Sequence, residues 1–280
     1  MRYVSFYDGA RVIPGALEGE RISAIACDSL VEYIALDRSQ RAERRTTITY
    51  SLQEVRLAAP VHPHKNIFCV GRNYLEHAKE GARAAGRELK LPQVPTFFSK
   101  ATTAIADPNA ELGFEARVSR EYDWEGELAV IIGSRIKDAD ESSAMDAVFG
   151  YTCLNDITAR DLQRAHLQWF KGKSLDASCP MGPWICDRDE VPDPHALHIA
   201  TRVNGETKQD ASTSSMIFRI PAIIAQLSRG MTLEPGDVIA TGTPDGVGFA
   251  RTPPEFFADG DVVEVEIERI ATLRNTIRIT

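Results

Sequence analysis

The 280-residue chain has five cysteines, Cys27, Cys69, Cys153, Cys179 and Cys186, and none of them forms a Cys-x-x-Cys pair. An odd, scattered set of this kind gives neither a disulfide framework nor a zinc site, and reads as buried, inert thiols. No stretch approaches the roughly 20 apolar residues of a membrane span. The opening Met1-Arg2-Tyr3-Val4-Ser5-Phe6 also lacks the apolar run of a secretion signal, so the expectation is a cytoplasmic protein with no membrane contact. Positive charge is in deficit, with 32 Lys and Arg against 40 Asp and Glu, for a net charge of -8. Nucleic-acid binding is therefore not expected, because it needs a basic face, and an anionic substrate must find local cations. Glycine is never arranged as Gly-x-Gly-x-x-Gly or as a Walker loop, which argues against a nucleotide site.

With 43% hydrophobic and 26% charged residues, the composition supports a substantial core in a globular chain. Residues 1–60 read as a small β-rich module, with strands at Tyr3-Val4-Ser5-Phe6 and Arg11-Val12-Ile13 and turns at Tyr7-Asp8-Gly9 and Pro14-Gly15. Residues 61–280 read as a second, larger domain. There Asn66 to Gly71 is a buried-strand candidate, Tyr74 to Glu80 a short helix, and Gly81 to Pro95 an exposed loop, which together make a lid at about 74–95. From Thr96 onward the pattern is mostly β, with helices expected at about 142–147, 157–169 and 221–229. Asn204-Gly205 predicts a type I′ hairpin. Gly236-Asp237-Val238 and Gly260-Asp261-Val262 predict one turn-to-strand entry used twice. The fold class is mainly β or α+β.

Chemistry concentrates in a few places. Glu125 and Glu127 stand two apart where the buried run Leu128-Ala129-Val130-Ile131-Ile132 begins, so on a strand they project to one side about 7 Å apart. A third acid, Asp156, follows in Leu154-Asn155-Asp156. Three oxygen donors with no nearby His or Cys suit Mg2+, Mn2+ or Ca2+ rather than zinc. Each acid also has a plainer reading: the glutamates on a wet edge strand, Asp156 as a helix N-cap. On a helix after Asp156, Arg160 and Gln163 would share its stripe. Lys173, in Phe170-Lys171-Gly172-Lys173, offers an ammonium to a metal site or to solvent. His77 and Glu80, three apart, match a carboxylate-oriented general base or a surface pair. Arg72, in Gly71-Arg72-Asn73-Tyr74, would supply a cation for a substrate carboxylate or an internal ion pair. The turn Thr241-Gly242-Thr243-Pro244 would bind an oxyanion through amides and hydroxyls, or simply need its glycine to turn.

Taken in order, Gly71-Arg72-Asn73-Tyr74 with His77 and Glu80, Glu125-x-Glu127, Asn155-Asp156-x-Thr158-Ala159-Arg160-Asp161, Gly172-Lys173-Ser174, Ser214-Ser215-Met216-Ile217-Phe218 and Thr241-Gly242-Thr243-Pro244 resemble the fumarylacetoacetate hydrolase family. The resemblance spans about residues 65–270, and the first 60 fit only as a variable N-terminal module. It implies a mixed β-roll, a homodimer, and Mg2+ or Mn2+ held by Glu125, Glu127 and Asp156 with Lys173 alongside. It also implies His77 and Glu80 as a catalytic pair on a segment that orders over substrate, and a substrate site that takes in Arg72, Tyr74, Arg160, Gln163, Gly242 and Thr243.

The reaction expected from it is hydrolysis of a carbon-carbon bond in a small anionic oxo acid of the acylpyruvate type, such as fumarylpyruvate, in aromatic compound catabolism. The alternatives are isomerisation of a 2-hydroxyhepta-2,4-diene-1,7-dioate and decarboxylation of oxaloacetate, since one fold and one metal serve all three. A metal-stabilised binding protein would keep the acids but give His77 and Glu80 no task.

Overall fold

The computed structural model describes residues 1–84, 86 and 88–280. Its central strand, Gly126–Ile132, is buried along its whole length. Because side chains alternate across a strand, Leu128, Val130 and Ile132 enter one core while Ala129 and Ile131 enter another. A strand that is apolar on both faces needs cover on both. The first core contains Ile223, Ile224 and Leu227 of the helix Ile220–Ser228, with Ile199, Val265 and Leu273 of a five-stranded sheet. The second contains Leu30, Tyr33 and Ile34 of the helix Leu30–Ala35, with Ile67, Phe149, Met181 and Ile185.

The large sheet has 12 strands, and its main path runs from Arg45–Ser51 through Arg21–Ile25, Arg11–Glu18, Arg2–Asp8, Cys179–Asp187, Val148–Asn155, Gly126–Ile132, Val238–Ala240 and Ile67–Gly71 to Thr96–Lys100. Most neighbours are antiparallel, but Val238–Ala240 and Ile67–Gly71 run parallel. The result is an α+β fold built on mixed sheets. The first 60 residues join it edge to edge: Arg2 lies opposite Cys186 and Tyr3 opposite Ile185. Tyr3 then packs its ring 5.6 Å from Tyr33 and 5.0 Å from Phe149. Among the described residues, no helix is long and apolar enough to cross a membrane.

Several turns follow the local chemistry. Asn204 and Gly205 take φ of 53° and 79° between the antiparallel strands His198–Val203 and Glu206–Ser212. The two Gly-Asp-Val entries share one construction, with φ of 86° at both Gly236 and Gly260. In each, the aspartate accepts from the amide three residues back, Glu234 N–H to Asp237 at 2.9 Å and Ala258 N–H to Asp261 at 2.7 Å.

Other expectations need correction. Pro14-Gly15 is no turn but lies within the strand Arg11–Glu18, where the bare Gly15 makes room for Ile22 of the next strand. The helix expected at about 157–169 is divided: Thr158–Ala159 is a strand, Arg160–Ala165 a short helix, and Phe170–Lys173 another. The pairing of Thr158–Ala159 with Tyr122–Asp123 takes the backbone that a longer helix would need.

Gly150 shows how closely the central strands are packed. A methyl group there would run into the Cys186 carbonyl, which is main chain and cannot swing aside, and into Ile185 2.8 Å away. Gly150→Ala is expected to lower unfolding free energy by about 1–3 kcal/mol, the usual scale for overpacking. Urea denaturation checks this, and an unmoved midpoint would mean that the strand pair has slack.

Candidate active site

Strand register brings the acids together. Gly126 lies opposite Asn155 in the antiparallel pair Gly126–Ile132 and Val148–Asn155, so Glu125 and Asp156 stand one residue beyond. The Asp156 amide donates to the Glu125 carbonyl at 2.8 Å. Pairing resumes only at Asp123 opposite Thr158. The two acids therefore occupy a break between two ladders, where side chains turn inward without losing main-chain hydrogen bonds. Asn155 secures the break, its Oδ1 accepting from the Glu125 amide at 2.9 Å. Glu127, two residues along the strand, joins from the same face.

One carboxylate oxygen of each of Glu125, Glu127 and Asp156 lies within 4.8 Å of the others, and all three residues are buried. Ligands on one Mg2+ or Ca2+ sit about 2.0–2.6 Å from it, so they lie at most about 4–5 Å apart. The spacing and the all-oxygen donor set fit a single hard divalent cation.

Cations of the protein surround these acids. Lys173 Nζ lies 2.6 Å from both Glu125 Oε2 and Asp156 Oδ2. Lys100 Nζ, with no exposure, lies 2.7 Å from Asp156 Oδ1 and donates to the Ile157 carbonyl at 3.1 Å. Arg160 reaches Asp123 Oδ2 and Glu125 Oε1, each at 2.7 Å, and Gln163 Oε1 at 3.1 Å. Burial disfavours the Lys173 ammonium, but Asp156 and Glu125 outweigh it and raise its pKa. Burial would likewise raise the Glu125 carboxyl, yet Lys173, Arg160 and His77 pull it down to about 2. Glu127 moves the other way: burial, then the charges of Asp156 and Glu125, push its pKa well up.

The proposed base sits on the helix Leu75–Ala84, which runs four residues past the expected end at Glu80. The lid stretch expected to follow includes Ala85 and Arg87, which lie outside the described residues. His77 Nδ1 is 2.9 Å from Glu80 Oε1, and Glu80 Oε2 accepts from the Gly246 amide at 2.9 Å. Ahead of this helix, Asn73 is fully buried and acts as a clasp. Its side-chain amide donates to the Thr241 carbonyl at 2.7 Å and the Phe218 carbonyl at 3.0 Å, and its Oδ1 accepts from the Phe218 amide at 2.8 Å. Three of the strings singled out in the sequence meet there.

The remaining candidates divide. Gly242, at φ 101°, donates its amide to Glu127 Oε2 at 2.7 Å, and a side chain at this position would strike Asn73 Cβ at 2.7 Å. The Thr243 hydroxyl donates to the Gly126 carbonyl and accepts from Gln209, so its groups serve the fold around the site. Tyr74 is buried, its hydroxyl without a partner among the described residues; burial, then the Glu127 charge, raises its pKa. Arg72 is exposed at φ 57°, its guanidinium 5.5 Å from the Trp169 ring centre. Asp156 caps no helix, since Arg160–Ala165 starts after Ala159.

Lys100 and Asp123 were not foreseen. Asp123 accepts from the Gly248 and Phe249 amides at 2.6 and 3.0 Å as well as from Arg160. The only signal was a charge ending the apolar run Thr96-Phe97-Phe98-Ser99-Lys100, or preceding Trp124.

Buried acids at a strand break, matched by buried cations and flanked by a His-Glu pair, form a centre that could hold a divalent cation. The family model for the fumarylacetoacetate (FAA) hydrolase C-terminal region matches residues 66–278, and the chain belongs to that family of enzymes. It is 45% identical over 271 residues to oxaloacetate tautomerase YisK of Bacillus subtilis (strain 168), covering 95% of this chain and 87% of the relative. It is 42% identical over 226 residues to human mitochondrial oxaloacetate tautomerase FAHD2A, covering 80% of this chain and 70% of the relative. Among solved structures, a fumarylacetoacetate hydrolase from Exiguobacterium antarcticum superposes at TM-score 0.85 with 40% identity, covering all of both chains. A 2-hydroxyhepta-2,4-diene-1,7-dioate isomerase from Mycobacterium marinum does so at 0.82 with 34% identity, covering all of this chain and 99% of the other.

Two outcomes test this centre. Asp123→Ala leaves Arg160 buried with half its carboxylate partners, and should cost about 3–5 kcal/mol of stability in chemical denaturation, the scale for breaking a buried ion pair. Glu127→Ala should abolish Mn2+ binding in calorimetry while the protein still unfolds cooperatively; unaltered binding would remove Glu127 from the ligand set.

Proposed function

We propose that this protein interconverts the keto and enol forms of oxaloacetate with the help of a divalent cation. The observation that carries this reading is the 45% identity over 95% of the chain to an oxaloacetate tautomerase. A His-Glu pair close enough for His77 to act on the charge of Glu125, one of three buried acids, supports it. Hydrolysis of an acylpyruvate, expected from the sequence, becomes the second reading, favoured by the 40% identity to a fumarylacetoacetate hydrolase.

Glu125, Glu127 and Asp156 would hold Mg2+ or Mn2+, which supplies Lewis-acid polarisation of the 2-oxo-carboxylate end of the substrate. Arg160 and Lys173, both buried and charged, favour an anionic substrate at this point. His77 takes a proton from C3 of the keto form, its ring oriented by Glu80 through Nδ1. The C3 electron pair becomes the C2–C3 double bond, and the 2-oxo oxygen gains the proton; the reverse path restores the ketone. Lys173 stabilises negative charge as it grows on that oxygen. No water enters the balance, which separates tautomerisation from hydrolysis.

His77→Ala is expected to lower kcat by about a hundredfold or more, the scale of general-base loss, without changing metal affinity. The assay follows enol absorbance of oxaloacetate with Mn2+ and, in parallel, pyruvate release from oxaloacetate and from fumarylpyruvate. Enol decay without pyruvate supports the tautomerase. Pyruvate from fumarylpyruvate alone replaces it with the hydrolase, and pyruvate from oxaloacetate with a decarboxylase.

A further inference from the structure

The proposed reaction gives no part to the aromatic residue between Asp123 and Glu125. Trp124 is 2% exposed, and its ring meets Phe257 edge to face with the centres 5.4 Å apart. A buried indole N–H needs an acceptor, and here it is the Gly246 carbonyl at 3.0 Å. The amide of that same glycine donates to Glu80 Oε2 at 2.9 Å, and Glu80 Oε1 lies 2.9 Å from His77 Nδ1. Trp124 is thereby linked through a single glycine to the His-Glu pair.

Gly246 is a loose joint unless something holds it. Glycine has the widest conformational range of any residue, and this one stands at φ 94° on a partly exposed loop. A side chain there would strike the Lys208 carbonyl, so stiffness cannot come from a larger residue and has to come from hydrogen bonds. The loop is pinned on either side, where Gln209 donates to the Pro244 carbonyl at 2.8 Å and the Gly248 amide donates to Asp123 at 2.6 Å. Between those pins, the indole is what fixes the Gly246 carbonyl. The helix Leu75–Ala84 that carries His77 cannot set the geometry by packing, since Ala78 is its buried residue.

We propose that Trp124 is a positioning residue for the general base: by fixing the Gly246 carbonyl it fixes the Gly246 amide, and with it Glu80 and the His77 ring. The proposal rests on the reading of His77 and Glu80 as the proton-transferring pair, and it names what holds them. Glu125 follows Trp124 directly in the chain. One stretch of strand backbone therefore presents an acid of the centre and also sets the place of the base.

The test compares four forms of the Mn2+-loaded full chain, namely wild type, Trp124→Phe, Glu80→Ala and the double variant, on oxaloacetate and on fumarylpyruvate. Phenylalanine keeps a ring against Phe257 and removes the donor. Trp124→Phe should lower kcat about tenfold or more, toward the roughly hundredfold that a 1 Å misplacement costs. KM, and the Mn2+ affinity measured by calorimetry, should stay within about twofold. In the Glu80→Ala background the same substitution should cost less than about twofold, because residues that act through one another are non-additive. Without substrate, hydrogen exchange of the Gly246 amide should speed about tenfold or more in Trp124→Phe. Equal kcat losses in both backgrounds, unaltered exchange, or a loss confined to KM or Mn2+ affinity overturns the proposal. Should Trp124→Phe fail to unfold cooperatively, 3-benzothienylalanine at position 124 replaces it, keeping the bicyclic shape with sulfur where the N–H stood, and the same comparison decides. Undiminished kcat in Glu80→Ala overturns the base reading and this proposal together. A diminished kcat there beside an additive Trp124→Phe overturns this proposal alone.

Discussion

The structure turns on neutralising buried charge. Glu125, Glu127, Asp156 and Asp123 all sit in the interior, where an uncompensated carboxylate would cost several kcal/mol. Lys100, Lys173 and Arg160 meet them there, and main-chain amides of Gly242, Gly248 and Phe249 supply further donors. One negative group is left over, and it is Glu127 whose carboxyl is pushed toward the neutral form. The sheet around this knot is apolar on both faces, so the electrostatics have little solvent to weaken them.

The knot also links distant parts of the chain. Asp123 holds the 248–249 turn, and Gly246, two residues before it, holds Glu80, which orients His77. Asn73 ties the start of the same helix to 217–218 and to Thr241. His77 and the carboxylate-facing Arg160 are thus positioned by one glycine-rich loop. This explains why short strings far apart in the chain behave as one signature.

Much of this was legible beforehand. Period-two spacing placed Glu125 and Glu127 on one face, and the Asn-Gly and twin Gly-Asp turns follow from local chemistry that packing did not override. What was not legible depends on partners across space. The helix expected through 157–169 fails because Thr158–Ala159 finds a strand partner in Tyr122–Asp123. Pro14-Gly15 looks like a turn until Ile22 is seen to need the space. Lys100 and Asp123 carry only a faint local mark, a charge beside apolar residues, since their partners Asp156 and Arg160 lie far away in the chain. Thr243 presented a hydroxyl suited to a ligand, but the Gly126 carbonyl takes its proton.

The double grip of Lys173 on Glu125 and Asp156 has a consequence for how a divalent cation would enter this centre. A tethered ammonium already does part of the electrostatic work that a divalent cation would do, so the acids need no ion to relieve their mutual repulsion. Loading would become a swap of one positive group for another inside a finished scaffold. Scarcity of the ion in the cell would then idle the catalyst without committing it to degradation.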